Sequence, residues 1–131
     1  PLTGISKRQG CVSHSTPEAD MVAAAFALRM VGLPALQLWH TLLPHKQPVL
    51  VHEDNQATID IIVSGKNPTL RHLNRTHRVN VAWLHEQYRE QAYLLTKIPT
   101  GDQCGDIFTK AITDKVAFRR ALQMIGHIHV I

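Results

Sequence analysis

Residues 48–59 read Pro48-Val49-Leu50-Val51-His52-Glu53-Asp54-Asn55-Gln56-Ala57-Thr58-Ile59, an apolar run that ends abruptly in carboxylates and amides. The apolar run after the proline predicts a short buried strand, and the polar residues after it predict the start of a helix. In open α/β sheets, ligands bind beyond the carboxyl ends of the strands. Asp54 therefore has two interpretations. It caps the following helix, or it is a carboxylate that binds a metal ion.

The length and composition predict one domain spanning residues 1–131. The chain has 131 residues, 44% of them hydrophobic, which is enough for one core. No apolar run approaches the roughly 18 residues of a membrane span, and the N-terminus lacks the apolar segment of a signal peptide. We therefore expect no membrane association. The two cysteines, Cys11 and Cys104, cannot form a disulfide framework, so we expect an intracellular location, in the cytoplasm or nucleus. The net charge of +4 suits a polyanionic partner but is common in ordinary domains.

Strand and helix patterns alternate along the chain. They predict a strand at Cys11–Ser15, a helix from Ser15 to about Val31 that Gly32-Leu33-Pro34 breaks or bends, the central strand at Val49–Val51 with its helix, a helix at about Thr76–Glu90, a strand at Ala92–Ile98, and a last helix capped by Thr113-Asp114 and ended by Gly126. This order predicts a mostly parallel α/β sheet with helices packed on its faces.

Two local patterns have structural and functional interpretations. Ser15 and Glu18 fit a capping box, with Pro17 in the first turn of the helix. The segment from Lys66 to Arg78 is the densest basic stretch of the chain. It is either a solvated surface or a contact for phosphates. Its cationic or titratable residues are Lys66, Arg71, His72, Arg75, His77 and Arg78.

Three aspartates stand where a strand or helix begins or ends, namely Asp20, Asp54 and Asp106. Hard divalent ions such as Mg²⁺ prefer oxygen ligands, and two ions about 3.5–4 Å apart can catalyse phosphodiester hydrolysis. Acids at helix starts are also explained by the helix macrodipole. Spacing alone does not decide between these explanations.

Five motifs, in order, resemble those of the ribonuclease H domain of copia-type (Ty1-like) retrotransposon polyproteins. The resemblance extends from Ser6 to about Gly126. The motifs are Ser6-Lys7-Arg8-Gln9, Ser15-Thr16-Pro17-Glu18-Ala19-Asp20, Glu53-Asp54-Asn55-Gln56-Ala57, Arg75-Thr76-His77-Arg78-Val79 and Gly105-Asp106-Ile107-Phe108-Thr109-Lys110.

The resemblance implies a ribonuclease H-like mixed sheet with helices on both faces, and an endonuclease that hydrolyses the RNA strand of RNA–DNA hybrids. It implies two Mg²⁺ ions, or Mn²⁺ in their place, held by Asp20, Asp54 and Asp106. Asp20 stands where the family has Glu, and Glu18 is the alternative ligand on that helix. Contacts to the hybrid are expected from Lys66, Arg71, Arg75 and Arg78.

The chain departs from the family pattern at its N-terminus. The family's first strand, which is central in the sheet and carries the first catalytic aspartate, has no counterpart here, so we expect an N-terminally truncated domain. An open strand edge favours association. The expected partners are therefore a chain that supplies the missing strands or a second copy of this one. The rival interpretation is a non-catalytic remnant or domesticated module that binds nucleic acid or a protein partner.

Overall fold

The computed structural model describes residues 3–45, 47–66 and 75–127. The chain divides into two compact units, Gln9–Lys97 and the combination of Pro1–Arg8 with Ile98–Ile131. The single domain expected for residues 1–131 stays a prediction.

The described residues of the Gln9–Lys97 unit form a two-stranded parallel sheet and four α-helices. Its elements are α1 (Thr16–Ala27), a π-helical segment (Leu28–Gly32), α2 (Leu33–Leu42), β1 (Val49–Glu53), α3 (Gln56–Ser64), α4 (Arg75–Arg89) and β2 (Tyr93–Lys97). β1 and β2 pair in parallel, with Val49 opposite Tyr93 and Glu53 opposite Lys97. The structure is therefore α/β with a parallel strand pair, as the sequence predicted.

The predicted strand at Cys11–Ser15 is wrong, because these residues form bends and irregular backbone. Side chains satisfy the backbone polar groups that a neighbouring strand would otherwise pair. The carbonyl of Val12 accepts a hydrogen bond from His77 Nε2 at 2.8 Å. The backbone N–H of His14 donates to Glu18 Oε2 at 2.6 Å. The segment is thus attached to α1 and α4 by side chains.

The predicted interruption at Gly32-Leu33-Pro34 is a π-helical turn in a continuous helix. The N–H of Leu33 bonds to the carbonyl of Leu28, five residues back. The proline that follows has no N–H to donate, and a π turn is one way a helix absorbs such a defect. The resulting helix, Thr16–Leu42, is long and apolar enough to cross a membrane by length and composition. Core helices of soluble proteins meet the same criterion, so the expectation of no membrane association stays a prediction.

One face of the sheet packs on the core. Val49 and Val51 of β1 and Leu95 of β2 contact a cluster formed by the buried Met21, Ala25, Leu28, Ile61, Ile62, Val81, Leu84 and Tyr93. The buried Tyr93 hydroxyl donates to the carbonyl of Leu84 at 2.8 Å, which fixes β2 to α4. On the opposite face, the paired Leu50 and Leu94 are 51% and 48% exposed. Helices therefore cover one face in the described part of this unit. The family's arrangement with helices on both faces stays a prediction.

In the second unit, the residues that the structure describes form two 3₁₀ segments and an α-helix. These are Thr100–Asp102, Cys104–Phe108 and α5 (Lys115–Met124). Asp114 caps α5 by accepting a hydrogen bond from the N–H of Val116 at 2.9 Å. Gly126 follows the helix with φ 74°, and the N–H groups of Gly126 and His127 bond to the carbonyls of Gln123 and Leu122. This pattern is a Schellman motif, so the predicted cap and stop of the last helix are confirmed.

Candidate functional site

The geometry of the turn between β1 and α3 decides between the two interpretations of Asp54. Asn55, not Asp54, is the N-cap of α3, because its Oδ1 accepts a hydrogen bond from the N–H of Ala57 at 3.1 Å. The capping interpretation of Asp54 is therefore wrong. Asp54 is partly buried at the carboxyl end of β1, next to the capping residue.

Asp20 of α1 is bound to this turn by two side-chain donors. Its Oδ2 accepts hydrogen bonds from Asn55 Nδ2 at 3.0 Å and from Thr58 Oγ1 at 3.4 Å. Thr58 is fully buried on the first turn of α3. These contacts bring Asp20 beside the residue that follows Asp54, although Asp20 and Asn55 are 35 positions apart in the sequence.

Glu53, the last residue of β1, completes a group of neighbouring carboxylates. Its side chain is 8% exposed, and its Oε1 accepts a hydrogen bond from the N–H of Asn55 at 2.9 Å. Burial raises the pKa of Glu53, and the negative charges of Asp20 and Asp54 raise it further against the opposing effect of backbone hydrogen bonds. Burial is the largest cause, and the charges of Asp20 and Asp54 act on the pKa of Glu53 in the same direction.

Glu18 has a structural position on a different side of α1. Residues two apart on a helix do not face each other, so Glu18 and Asp20 serve different neighbours. Ser15 Oγ accepts from the N–H of Glu18 at 3.4 Å, as the capping box predicts. The carboxylate, however, accepts from the N–H of His14 and lies 3.8 Å from His77 Nε2, with Glu18 and His77 each 1% exposed. Of the two acids on this helix, Asp20 is therefore the one beside the β1–α3 turn.

Asp106 lies in the other unit, in the 3₁₀ segment Cys104–Phe108. Its Oδ2 forms an ion pair with Lys110 Nζ at 2.8 Å. Within residues 3–45, 47–66 and 75–127, no group of three or more His, Cys, Asp or Glu side chains is arranged to hold a metal ion. The structure thus brings Asp20 to the turn that carries Asp54, and the role of all three aspartates as ligands stays a prediction.

The basic segment includes both exposed and buried residues. Lys66, Arg75 and Arg78 are exposed, and the first turn of α4 contains no acid. Arg71 lies outside the described residues. His77 points inward to Val12 and Glu18, so it is part of the packing between α4 and α1. The aromatic residues farther along α4, Trp83 and Tyr88, pack against the core.

Three residues at this turn were not selected by sequence reasoning, namely Glu53, Asn55 and Thr58. Glu53 and Asn55 belong to the motif Glu53-Asp54-Asn55-Gln56-Ala57. The preference of Asn for N-cap positions is the sequence feature that could have identified Asn55. Thr58 follows three residues later, where a helix brings its side chain to the same turn. The burial of Glu53 is a property of the packed structure, which the local pattern does not contain.

Comparison with known proteins finds similarity to a retrotransposon polyprotein. The chain is 30% identical over 123 residues to the retrovirus-related Pol polyprotein from transposon TNT 1-94 of Nicotiana tabacum. The match covers 92% of this chain and 9% of that relative's length. No protein-family model matches the chain, and no solved structure matches it significantly. The similarity supports an origin in a retrotransposon polyprotein.

We expect Glu53→Gln to stabilise the protein at pH 7. The pKa of Glu53 is raised above its ordinary 4.5, so the folded state binds this proton more tightly than the unfolded state does. Glu53 therefore makes its full contribution to the free energy of unfolding below pH 4.5. This contribution is lost as the pH rises through the pKa of Glu53 in the folded protein. The difference in free energy of unfolding between variant and wild type should grow over that range. Urea denaturation between pH 4 and pH 8 measures it.

The matched control is Glu86→Gln, at an exposed position of α4. Its stability should follow the wild type at every pH. A Glu53→Gln variant that is less stable than wild type at pH 7 would contradict the expected cost of burying a charged carboxylate at this position.

Proposed function

We propose that this chain is a ribonuclease H-like nuclease domain of a copia-type retrotransposon, which hydrolyses the RNA strand of RNA–DNA hybrids with Mg²⁺. The observation that carries the proposal is the attachment of Asp20 to the β1–α3 turn, beside Asp54. Similarity to the polyprotein of transposon TNT 1-94 supports it, together with the five motifs. Such an activity would be exercised inside the cell, in the cytoplasm or nucleus.

The described residues contain no group of three or more acids arranged to hold a metal ion, so the support for a cation is the type of donor at the turn. Asp20 and Asp54 supply hard carboxylate oxygens, and both raise the pKa of the neighbouring Glu53 through their negative charge. A cation would neutralise this concentration of charge. Asp20 and Asp54 are the residues of the Gln9–Lys97 unit that would hold Mg²⁺, with Mn²⁺ as the alternative, and the resemblance alone adds Asp106 as a further ligand. When bound, such an ion activates water and stabilises the leaving oxygen of a phosphodiester.

The residues of the turn have defined tasks in this proposal. The N-cap bond of Asn55 fixes where α3 begins, and this fixes the direction in which the backbone leaves Asp54. The buried carboxylate of Glu53 accepts a hydrogen bond from the N–H of Asn55. Rigid backbone on both sides of Asp54 limits misplacement of its carboxylate.

Lys66, Arg71, Arg75 and Arg78 are proposed to contact phosphates of the hybrid. The support comes from the described members Lys66, Arg75 and Arg78, which are exposed. Arg75 and Arg78 occupy the first turn of α4, where cations are unfavourable for the helix itself because of its dipole. A polyanion at this position would compensate that repulsion.

The outer edge of β1 is proposed to receive a further strand, from another chain or from a second copy of this one. Among the described residues, β1 pairs with β2 alone. A groove of about 450 Å³ is lined by α2 and by the start of β1, with Leu36, Trp39, Val49 and Leu50 among its apolar walls. Val49 and Leu50 point to opposite faces of the sheet, and both line the groove. The groove therefore adjoins the backbone of β1. Open strand edges beside apolar surface promote association.

The second candidate function is a non-catalytic module that binds nucleic acid or a protein partner. The apolar groove beside β1 favours it, because such a surface suits a protein partner without requiring any metal. Metal-dependent cleavage separates the two functions.

We expect the chain to cleave the RNA strand of an end-labelled RNA–DNA hybrid in the presence of Mg²⁺, leaving the DNA strand intact. Asp54→Asn and Asp106→Asn should each slow cleavage about a hundredfold or more, since a metal ion contributes several kcal/mol to such a reaction. Asp54→Asn leaves the helix cap intact, because the cap is Asn55.

Asp60→Asn and Asp114→Asn are the matched controls. Asp60 is exposed on α3 and bonded to Gln56, and Asp114 caps α5, a task that Asn also performs. Both controls should retain activity. Hybrid binding without cleavage in Mg²⁺ or Mn²⁺ would instead establish the binding module.

The affinity for a hybrid duplex should depend steeply on salt. Each phosphate contact adds about 0.9 to the negative slope of log affinity against log salt, so Arg75→Gln with Arg78→Gln should flatten the slope by roughly two. Arg89→Gln with Lys115→Gln removes the same charge from other exposed positions and should leave the slope nearly unchanged. Equal slopes for the two double variants would contradict the proposed contact.

The isolated chain should self-associate in sedimentation velocity, through the edge of β1. Leu50→Lys should weaken association by roughly tenfold or more, because burying a leucine contributes about 1.5–3 kcal/mol. Val63→Lys, at a 44% exposed position of α3, is the matched control and should associate like wild type. A wild-type chain that is monomeric at all concentrations would contradict the proposed self-association.

A further inference from the structure

The helix α2 is apolar and uncharged, but none of its residues is buried. Its ten residues, Leu33–Leu42, include no Asp, Glu, Lys or Arg. A short helix in a protein is stabilised mainly by the packing of its apolar side and only weakly by intrinsic propensity. Within the described part of the chain, no residue of α2 is buried by such packing. The composition of α2 therefore indicates a further apolar partner.

Two apolar stripes run along α2. Leu36 and Trp39 line the groove beside β1. Leu38 and Leu42, which we call the outer stripe, lie one turn apart on an adjacent side of the helix and are 55% and 62% exposed. The outer stripe does not line the groove. A strand bound in the groove would therefore leave the outer stripe uncovered.

The sheet has a face that needs such a helix. Parallel strands occur almost only in sheets that are covered on both faces. Leu50, His52, Leu94 and Thr96 form the face opposite the core, which we call the outer sheet face. Its two paired leucines are each about half exposed. Like α2, this face contains no Asp, Glu, Lys or Arg.

We propose that a second copy of this chain covers the outer sheet face with the outer stripe of its α2. One chain presents both an apolar helix side and an apolar sheet face that its own described residues leave exposed. A two-fold axis places the helix of each copy on the sheet of the other, so that the same contact forms twice. The inference rests on the proposed self-association, since it specifies the surfaces that two copies bring together.

The charge of the two surfaces favours a second copy over other occupants. Two uncharged surfaces pack together without burying an unpaired charge, which would be costly. A nucleic acid requires cations for its phosphates, and neither surface carries one. Helices that lie on a lipid surface are typically rich in Lys or Arg on their polar side, and α2 has neither residue. A second copy brings the matching uncharged surface by symmetry.

Sedimentation equilibrium of the full chain tests this contact with Leu38→Lys and Leu94→Glu. Each substitution places a charge in both copies of the contact, so each variant alone should raise the dimer dissociation constant at least about tenfold. An equal mixture of the two variants should recover association. In the mixed dimer, one helix–sheet contact keeps both leucines, and the other brings the introduced lysine and glutamate together.

Val63→Lys and Val79→Glu are the matched controls. They introduce the same charges at 44% and 51% exposed positions of α3 and α4. Each control should associate like wild type, and mixing the two should change nothing. If circular dichroism shows that Leu94→Glu does not fold, Leu94→Gln replaces it, with a smaller rise in the dissociation constant expected.

The outcomes distinguish this inference from the proposals that precede it. Weak association of Leu50→Lys together with wild-type association of Leu38→Lys and Leu94→Glu would limit the contact to the edge of β1 and overturn the helix–sheet contact. Two weakened variants that do not recover on mixing would overturn the reciprocal arrangement. A monomeric wild type would overturn the self-association and this inference together, while the cleavage assay would still decide the nuclease. Flotation of that monomer with phosphatidylcholine vesicles would show a lipid surface as the occupant instead.

Discussion

The parallel pairing of β1 with β2 is the constraint on which the rest of the Gln9–Lys97 unit depends. Parallel neighbours cannot be joined by a tight turn, so the chain must cross over between their ends, and it does so through α3 and α4. The crossover supplies Ile62 and Leu84 to the core beneath the strands. It also places the carboxyl ends of β1 and β2 at the same edge, with Glu53 opposite Lys97. The polar turn after β1 lies at that edge because the topology requires it.

The strands and helix ends that depend on local chemistry were predictable from the sequence. Asp114 and Gly126 delimit the last helix because capping oxygens and left-handed glycines act within a few residues. The same reasoning failed at Cys11–Ser15. The backbone there is satisfied by His77, which lies 65 positions away from Val12 in the sequence. A local pattern does not contain such a partner.

The candidate site also combines features that the local sequence predicts with features that depend on packing between distant residues. The position of Asp54 at the end of a strand was predictable, and the resemblance to a family identified Asp20 as its counterpart on α1. The choice of Asn55 over Asp54 as the cap was not predictable, since both residue types are good caps. The separation of Glu18 from Asp20 depends on which side of α1 faces α4 and which faces α3. Only the packed structure decides between them.

The π-helical segment at Leu28–Gly32 has a consequence for the surface beside β1. Successive residues of an α-helix are rotated by about 100° around its axis, and a π turn accommodates one residue more than an α turn. The side chains after the segment are therefore turned relative to those before it, and these include Leu36 and Trp39 of the groove. The side of α2 that faces β1 depends on the number of residues in the π turn. The apolar groove therefore depends on the spacing of the apolar residues as much as on the composition of the helix.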